Sequence, residues 1–173
     1  HLSIRRQRQM CIRDSIERVQ KRTDALLNCG GTHRPEWFHR KLGDILYEGC
    51  GVARDEAGLL DALTKVRELR EEFWRDVKVV GTGNRLNQEL EKAGRVADFI
   101  ELGEVMILDA LDRRESAGAH FRNEYATEAG EAKRNDDDWC AVSAWETRPD
   151  GTKVRHSEPL SFSLIDLQVR DYR

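Results

Sequence analysis

The residues best suited to act together are Arg113, Glu115, Ser116, His120 and Arg122, which lie in the stretch Arg113-Arg114-Glu115-Ser116-Ala117-Gly118-Ala119-His120-Phe121-Arg122. Between them they offer a carboxylate, a hydroxyl, an imidazole and guanidinium groups, a set that builds charge-assisted hydrogen bonds. Gly118 suits the left-handed residue that closes a helix, so the pattern predicts a helix running to about Ser116, with His120 and Arg122 on the loop that emerges. Glu115 then falls in the last turn, where the helix dipole disfavours an anion by roughly 0.3–1 kcal/mol. A carboxylate held there needs a cation, and Arg113, Arg114, His120 and Arg122 are all in reach. The expected bond is Glu115 to Arg122, which would offset the dipole penalty and aim the loop. The cluster is then either an ion-pair network that fixes the helix end or a contact point at a junction with another domain or subunit.

Other constellations are weaker. Glu36 and His39 have the E-x-x-H spacing of di-iron carboxylate bundles, but those sites take two such motifs and further carboxylates, and a capping or surface role fits a single one better. Asp98, Glu101, Glu104, Asp109 and Asp112 could pair for acid and base work, yet on one long helix they read first as its solvated stripe. Gly81-Thr82-Gly83 lacks the third glycine and the βαβ context of a dinucleotide loop. No residue is assigned to catalysis, to a cofactor or to a metal.

The elements that position the cluster follow from apolar spacing. Ile16, Val19, Thr23, Leu26 and Leu27 mark a short amphipathic helix that Cys29-Gly30-Gly31 ends. Pro35 opens a second, with Trp37, Phe38, Leu42, Ile45 and Leu46 inward and Gly49 and Gly51 as breakers. Asp55 is the N-cap of a third, along which Leu59, Leu63, Val66, Leu69, Phe73 and Val77 recur every three or four positions. Asn84 is placed as the cap of a long fourth helix, whose half from Val96 to Leu111 is apolar on most sides and belongs at the centre of a bundle. Residues 123–138 read as a polar loop. Alternation from Trp139 to Trp145, the turn Pro149-Asp150-Gly151, a return strand at 152–156 and a last strand through Leu160, Phe162 and Leu164 complete the domain. The expected class is mainly α, a bundle of three or four helices followed by a small C-terminal β-hairpin or sheet.

Composition narrows the partners. The 29 basic and 32 acidic residues are interspersed, which leaves no electrostatic footprint for nucleic acid or anionic lipid. Cys11, Cys29, Cys50 and Cys140 are far apart, with no CxxC pair, so neither a disulfide framework nor a zinc pattern is present and a reducing compartment fits. No apolar run approaches the roughly 18–20 residues of a membrane span.

With these residues in view, the chain resembles the C-terminal region of succinate dehydrogenase and fumarate reductase flavoprotein subunits. Members carry R-x-E-S-R-G-A-H-x-R after a long helix, matched here by Arg113, Glu115, Ser116, Gly118, Ala119, His120 and Arg122, with Ala117 where many relatives have Arg. The similarity continues in Arg40-Lys41-Leu42-Gly43-Asp44-Ile45-Leu46, in Cys50-Gly51-Val52-Ala53-Arg54, in 69–74 and 91–98, in Asp136-Asp137-Asp138-Trp139 and in Arg170-Asp171-Tyr172. It spans about Ile16 to Arg173 and is nearest the menaquinone-type bacterial branch. The resemblance implies a parent that interconverts succinate and fumarate through FAD held by an upstream domain. Its electrons would go to an iron–sulfur subunit and a membrane anchor, so that the protein lies in the cytoplasm, peripheral on the inner face of the membrane. It also implies that the flavin and substrate groups lie outside this chain, which alone would be inactive.

Two other identities fit the helical pattern: the tail of an L-aspartate oxidase, and a free-standing helical interaction module. A Gly-rich FAD fingerprint in the upstream reading frame separates the enzymes from the module. Met10-Cys11-Ile12-Arg13-Asp14-Ser15 resembles a translated transposon adapter, so residues 1–15 are expected to be non-native and the domain to occupy 16–173.

Overall fold

The computed structural model describes residues 2–165, 167 and 168, with backbone alone for 2–10. Four long helices come first: α1 (Leu2–Asn28), α2 (Pro35–Gly49), α3 (Glu56–Asp76) and α4 (Gln88–Asp112). A two-residue strand β1 (Ala53–Arg54) precedes α3, and β2 (Phe121–Arg122) follows α4 and leads into a 3-10 turn at Asn123–Tyr125. A short helix α5 (Asp136–Trp139) and the strands β3 (Ala141–Thr147) and β4 (Lys153–Pro159) complete the described elements. The predicted class, a helical bundle with a small C-terminal sheet, is the class observed.

The chain divides into two compact units, one formed by residues up to Asp44 with Lys65–Leu102, the other by Ile45–Thr64 with the residues from Gly103 on. In the first, Leu26, Phe38, Leu42, Val66, Leu69, Phe73, Val77, Val96 and Ile100 are buried, and the Phe38 and Phe73 rings meet edge to face at 5.2 Å. The chain leaving α1 crosses the end of α3: Gly31 N donates to the Val77 carbonyl at 3.3 Å and His33 N to that of Asp76 at 3.2 Å. The Asp76 carboxylate answers with bonds from Thr32 N at 2.9 Å, the Thr32 hydroxyl and the His33 ring. The His33 bond first, then those from Thr32, hold its pKa down at about 2.

In the second unit Leu59, Ala62, Leu63, Ile107 and Ala110 are buried. Asp55 caps α3 as predicted, its Oδ1 accepting from Gly58 N at 2.8 Å. β1 and β2 pair in parallel, Ala53 with Phe121 and Arg54 with Arg122. β3 and β4 form an antiparallel hairpin from Ala141 opposite Pro159 to Thr147 opposite Lys153, across the predicted turn, where Gly151 takes φ +86°.

Several boundaries differ from the sequence reading. The cap of α4 is Asn87, not Asn84: its Oδ1 accepts from Leu90 N at 3.1 Å, while its amide donates to the Val80 and Thr82 carbonyls. Those extra bonds hold the preceding turn out of the helix. At the other end α4 stops at Asp112, because the Ser116 amide donates to the Lys133 carbonyl at 2.9 Å instead of continuing the helical ladder. The stretch 123–138 is more ordered than a plain loop, with the 3-10 turn, α5 and an Ala126 to Ala132 bridge.

The last expected strand is not formed: Leu160 N donates to the Cys140 carbonyl at 2.9 Å, and the residues through Ile165 join no strand. The expected match at Arg170-Asp171-Tyr172 lies outside the described residues. α1 starts well before Ile16, and Ile16 and Val19 are exposed, so its predicted apolar face is buried only at Leu26. Nor is α4 wrapped on every side, since Phe99, Leu102 and Met106 are 42–54% exposed.

The crossing at Gly31 has little room, since a Cβ there would lie 1.9 Å from the Asp76 carbonyl oxygen, a backbone atom that cannot swing away. Gly31→Ala should therefore cost about 1–3 kcal/mol of stability, as overpacking against backbone does. Urea unfolding checks it, with Gly43→Ala as the control, because an added Cβ at Gly43 meets nothing within 4 Å. Equal midpoints for the two variants would show that the crossing is loose.

Candidate functional site

The end of α4, the loop after it and the start of α3 bring Arg113, Glu115, Ser116, His120 and Arg122 into one network within the second unit, and they do so mostly through backbone groups. Glu115 and Ser116 are buried, and Arg122 is 2% exposed. The anticipated Glu115 to Arg122 bond does not exist. Since α4 ends three residues before it, Glu115 is not in a last helical turn. Its Oε1 accepts from Arg113 Nε at 2.8 Å and Nη2 at 2.6 Å, and its Oε2 from the Asn135 amide at 2.9 Å. A carboxylate with charge-assisted partners on both oxygens is satisfied without water, which is what allows it to be buried.

Arg122 has a different task. Its Nη1 donates to the Ala110 carbonyl at 2.8 Å and to the Leu111 carbonyl at 3.3 Å, two acceptors that the last turn of α4 cannot use internally. Its Nε donates to Glu124 Oε2 at 3.1 Å, and its guanidinium lies 5.5 Å from the Tyr125 ring centre. The second oxygen of Glu124, Oε1, accepts from the Glu56 amide, the first of α3, at 2.6 Å. The cation thus meets the negative end of one helix dipole and the anion the positive end of another. Partial burial pushes the Glu124 pKa up, but the bonds from Arg122 and the Glu56 amide outweigh it and hold the carboxyl below its usual range.

Ser116 and His120 shape the loop between. The Ser116 hydroxyl donates to the Arg122 carbonyl at 3.1 Å and accepts from the Arg122 amide at 2.8 Å. Ala117 and His120 exchange backbone bonds of 2.8 and 3.1 Å across a tight turn. Gly118 sits in that turn at φ +59°, so the left-handed glycine is present but serves the turn, six residues beyond the helix end. His120 Nε2 faces the Arg113 carbonyl at 3.0 Å, which makes Nε2 the protonated nitrogen and leaves Nδ1 to accept from Arg54 Nη1 at 3.4 Å. Burial lowers the His120 pKa, the Arg113 carbonyl opposes this, and the charges of Arg54, Arg113 and Arg122 add to the lowering. The ring is held neutral.

Arg54, Asn135, Glu124 and Glu56 complete the network and were not among the expected site residues. Arg54 also donates Nε to the Gly51 carbonyl at 3.0 Å and lies near the buried Cys50, whose thiol burial pushes up in pKa. Glu124 stands two positions after Arg122, a spacing that could have marked it; the Asn135 amide and the Lys133 carbonyl leave no trace in side-chain type. The other constellations are separate. Glu36 pairs with Lys92, and His39 lies against Phe99 with ring centres 5.8 Å apart. The acids of α4 are largely engaged: Asp98 with Arg22, Glu101 with Arg70 and Asp112 with Arg155 are surface pairs whose carboxylates stay 44–65% exposed, as a solvated stripe would be, while Asp109 meets the Trp145 indole and Glu104 is buried.

Both nitrogens of His120 and both oxygens of Glu115 are committed to partners within the unit. What the arrangement does is fix the end of α4, the start of α3 and the course of the chain between Arg113 and Tyr125, leaving Gly118 and Ala119 exposed at the tip.

Residues 39–172 match the family model described as the fumarate reductase flavoprotein C-terminal region. Over 158 residues the chain is 26% identical to the succinate dehydrogenase flavoprotein subunit of Bacillus subtilis, covering 91% of this chain and 26% of that one. A quinol fumarate reductase of E. coli superposes with a TM-score of 0.76 at 25% identity, again over 91% of this chain and 26% of the other. An adenosine-5-phosphosulfate reductase shares the fold at a TM-score of 0.72 and 16% identity, over 90% of this chain and 26% of that one. The chain spans about a quarter of the length of the relatives it matches.

Two outcomes follow from the network. Arg122→Ala strands two helix-end carbonyls and removes the partner of Glu124, whose own side chain is 37% exposed, and should lower the unfolding free energy by about 1–3 kcal/mol, as leaving buried acceptors unmet does. A loss near zero in urea unfolding would mean that the guanidinium is effectively solvated. The second outcome concerns pH. A histidine held neutral contributes stability that is complete above its ordinary value of 6.5 and is lost as the pH falls below it. The stability difference between the native chain and His120→Gln should therefore shrink between about pH 7.5 and pH 5.5, with the native chain losing more. A difference that does not move with pH would contradict the neutral, half-buried imidazole.

Proposed function

The chain belongs to the fumarate reductase flavoprotein C-terminal family, and from that premise we propose that its parent is the flavoprotein subunit of an enzyme that oxidises succinate to fumarate or runs the reverse. The observation that carries the reading is the family match over residues 39–172, with the Arg113 to Arg122 stretch inside it. FAD, held by a domain upstream of this chain, would supply hydride transfer. The residues present do not fit that cofactor: the parallel pairing among the described residues is limited to β1 with β2 and a single His33 to Val77 bridge, and neither leads through a Gly-rich turn into a dinucleotide fold. No step of the reaction is assigned to a residue of this chain.

In this reading the chain packs against the flavin domain and helps seat the iron–sulfur subunit, which passes electrons to quinone in a membrane anchor; the protein is peripheral on the cytoplasmic face. Arg113, Glu115, Ser116, His120 and Arg122 form the lock behind the contact, and the exposed Gly118-Ala119 tip is the part a neighbour meets. No described helix is long and apolar enough to cross a membrane. Residues 1–15 are taken as foreign to the parent, with the native domain from Ile16.

The experiment compares the chain alone with the gene extended upstream and coexpressed with its neighbours. The chain alone should purify colourless and bind neither FAD nor succinate, whereas the extended protein should be a yellow flavoprotein that reduces an artificial acceptor with succinate. A stoichiometric flavin on the chain alone, or an extended protein without one, would overturn the proposal. In the assembled complex, Arg122→Ala should impair subunit co-purification and quinone-linked activity more than succinate binding. If it spares them all, the lock has no role at the junction.

A further inference from the structure

A cavity of about 340 Å³ in the second unit lies between α4 and the C-terminal hairpin, lined among others by Met106, Asp109, Arg113, Trp139 and Trp145. Its size falls at the lower end of small-ligand pockets, roughly 300–1,000 Å³. Its lining combines two indoles and a thioether with two charged groups, and the charges are not equivalent. Arg113 is neutralised by the buried Glu115 at 2.6 Å. Asp109 accepts one bond, from Trp145 Nε1 at 2.7 Å, and has no cation within ion-pair distance among the described residues. The indole N–H satisfies one carboxylate oxygen and leaves the negative charge uncompensated, in a lining with two indoles, a side chain whose ring attracts cations.

The same hairpin shows what such a pairing accepts. One turn further along α4, Asp112 takes Arg155 Nε at 2.6 Å, and that guanidinium lies 4.9 Å from the Trp139 ring centre. An acid of α4 together with an indole of the hairpin region holds an arginine there. Asp109 and Trp145 repeat the combination without the arginine.

We propose that this cavity is a binding site for a guanidinium group, the side chain of an arginine presented by a partner polypeptide. The Asp109 carboxylate takes the charge, Trp145 and Met106 cover the planar face, and Trp139, whose ring already carries Arg155, closes the side. Arginine suits it better than lysine because a delocalised, weakly hydrated guanidinium stacks on indole while it donates to a carboxylate. The site is independent of the flavoprotein reading, and so is its test.

The probe is N-acetyl-arginine methylamide, whose only charge is the guanidinium, titrated into the full 173-residue chain while the Trp145 indole N–H resonance is followed. The expected result is a saturable shift in the millimolar range. Asp109→Asn keeps the acceptor for Trp145 and so should unfold at the same urea concentration, yet should weaken binding about tenfold. The matching citrulline amide, uncharged but of the same shape, should give no saturable shift. The proposal is overturned if the shift does not saturate, if Asp109→Asn binds as well, or if the citrulline compound does. Equal binding by N-acetyl-lysine methylamide would overturn the assignment to guanidinium.

Discussion

A buried arginine must find a counter-charge and acceptors for its donors, because leaving either unmet costs several kcal/mol. Arg122 meets that requirement with the ends of two helices. Its guanidinium covers the Ala110 and Leu111 carbonyls, and through Glu124 it reaches the first amide of α3 at Glu56. Because the cation faces the negative end of α4 and the anion the positive end of α3, the ion pair and both dipoles are aligned in one favourable sequence of charges. The parallel pairing of β1 with β2, only two residues long, then becomes possible, and it sets Arg54 in register with Arg122. Ser116, whose hydroxyl bonds both the amide and the carbonyl of Arg122, fixes the backbone from the other side.

The consequence is that a stretch rich in catalytic residue types is tied into the fold. Glu115, His120 and Arg122 have the chemistry of an active site, but both oxygens of Glu115, both nitrogens of His120 and Nε and Nη1 of Arg122 are bonded inside the unit. Gly118 and Ala119, exposed at the tip, have no side-chain chemistry and owe their position to the residues behind them. The same economy explains much of the charge content of the chain. Asp98, Glu101 and Asp112 on α4 each hold an arginine from another segment.

Element types were legible in the sequence where local chemistry decides them. Asp55 as a cap, Pro35 in a first turn and Pro149-Asp150-Gly151 between two strands act over three or four residues, and the structure has each of them. Boundaries failed where a distant group competes. Helix α4 ends at Asp112 because the Lys133 carbonyl, seventeen positions from Ser116, takes the amide that would have extended it. The partners in the candidate site were misassigned for the same reason. Arg113, two residues from Glu115, had been as available as Arg122, and only the half-buried Asn135 amide and the helix-end carbonyls decide which arginine goes where.

The apolar periodicity of the helices contains one further step. Ile16 and Val19 on α1, and Phe99, Leu102 and Met106 on α4, recur at helical spacing, yet all five are exposed. Helix formation does not require such stripes, since Lys, Glu and Arg propagate a helix as well as leucine does. Exposed apolar surface forfeits about 25 cal/mol per Å² relative to burial, so a repeated stripe makes physical sense where something covers it. The spacing therefore does not by itself set burial, and within this chain these stripes stay open. Reading α4 as the centre of a bundle overestimated what this chain alone can bury: the face through Val96, Ile100 and Ile107 is covered within it, and the face through Phe99 and Met106 is not.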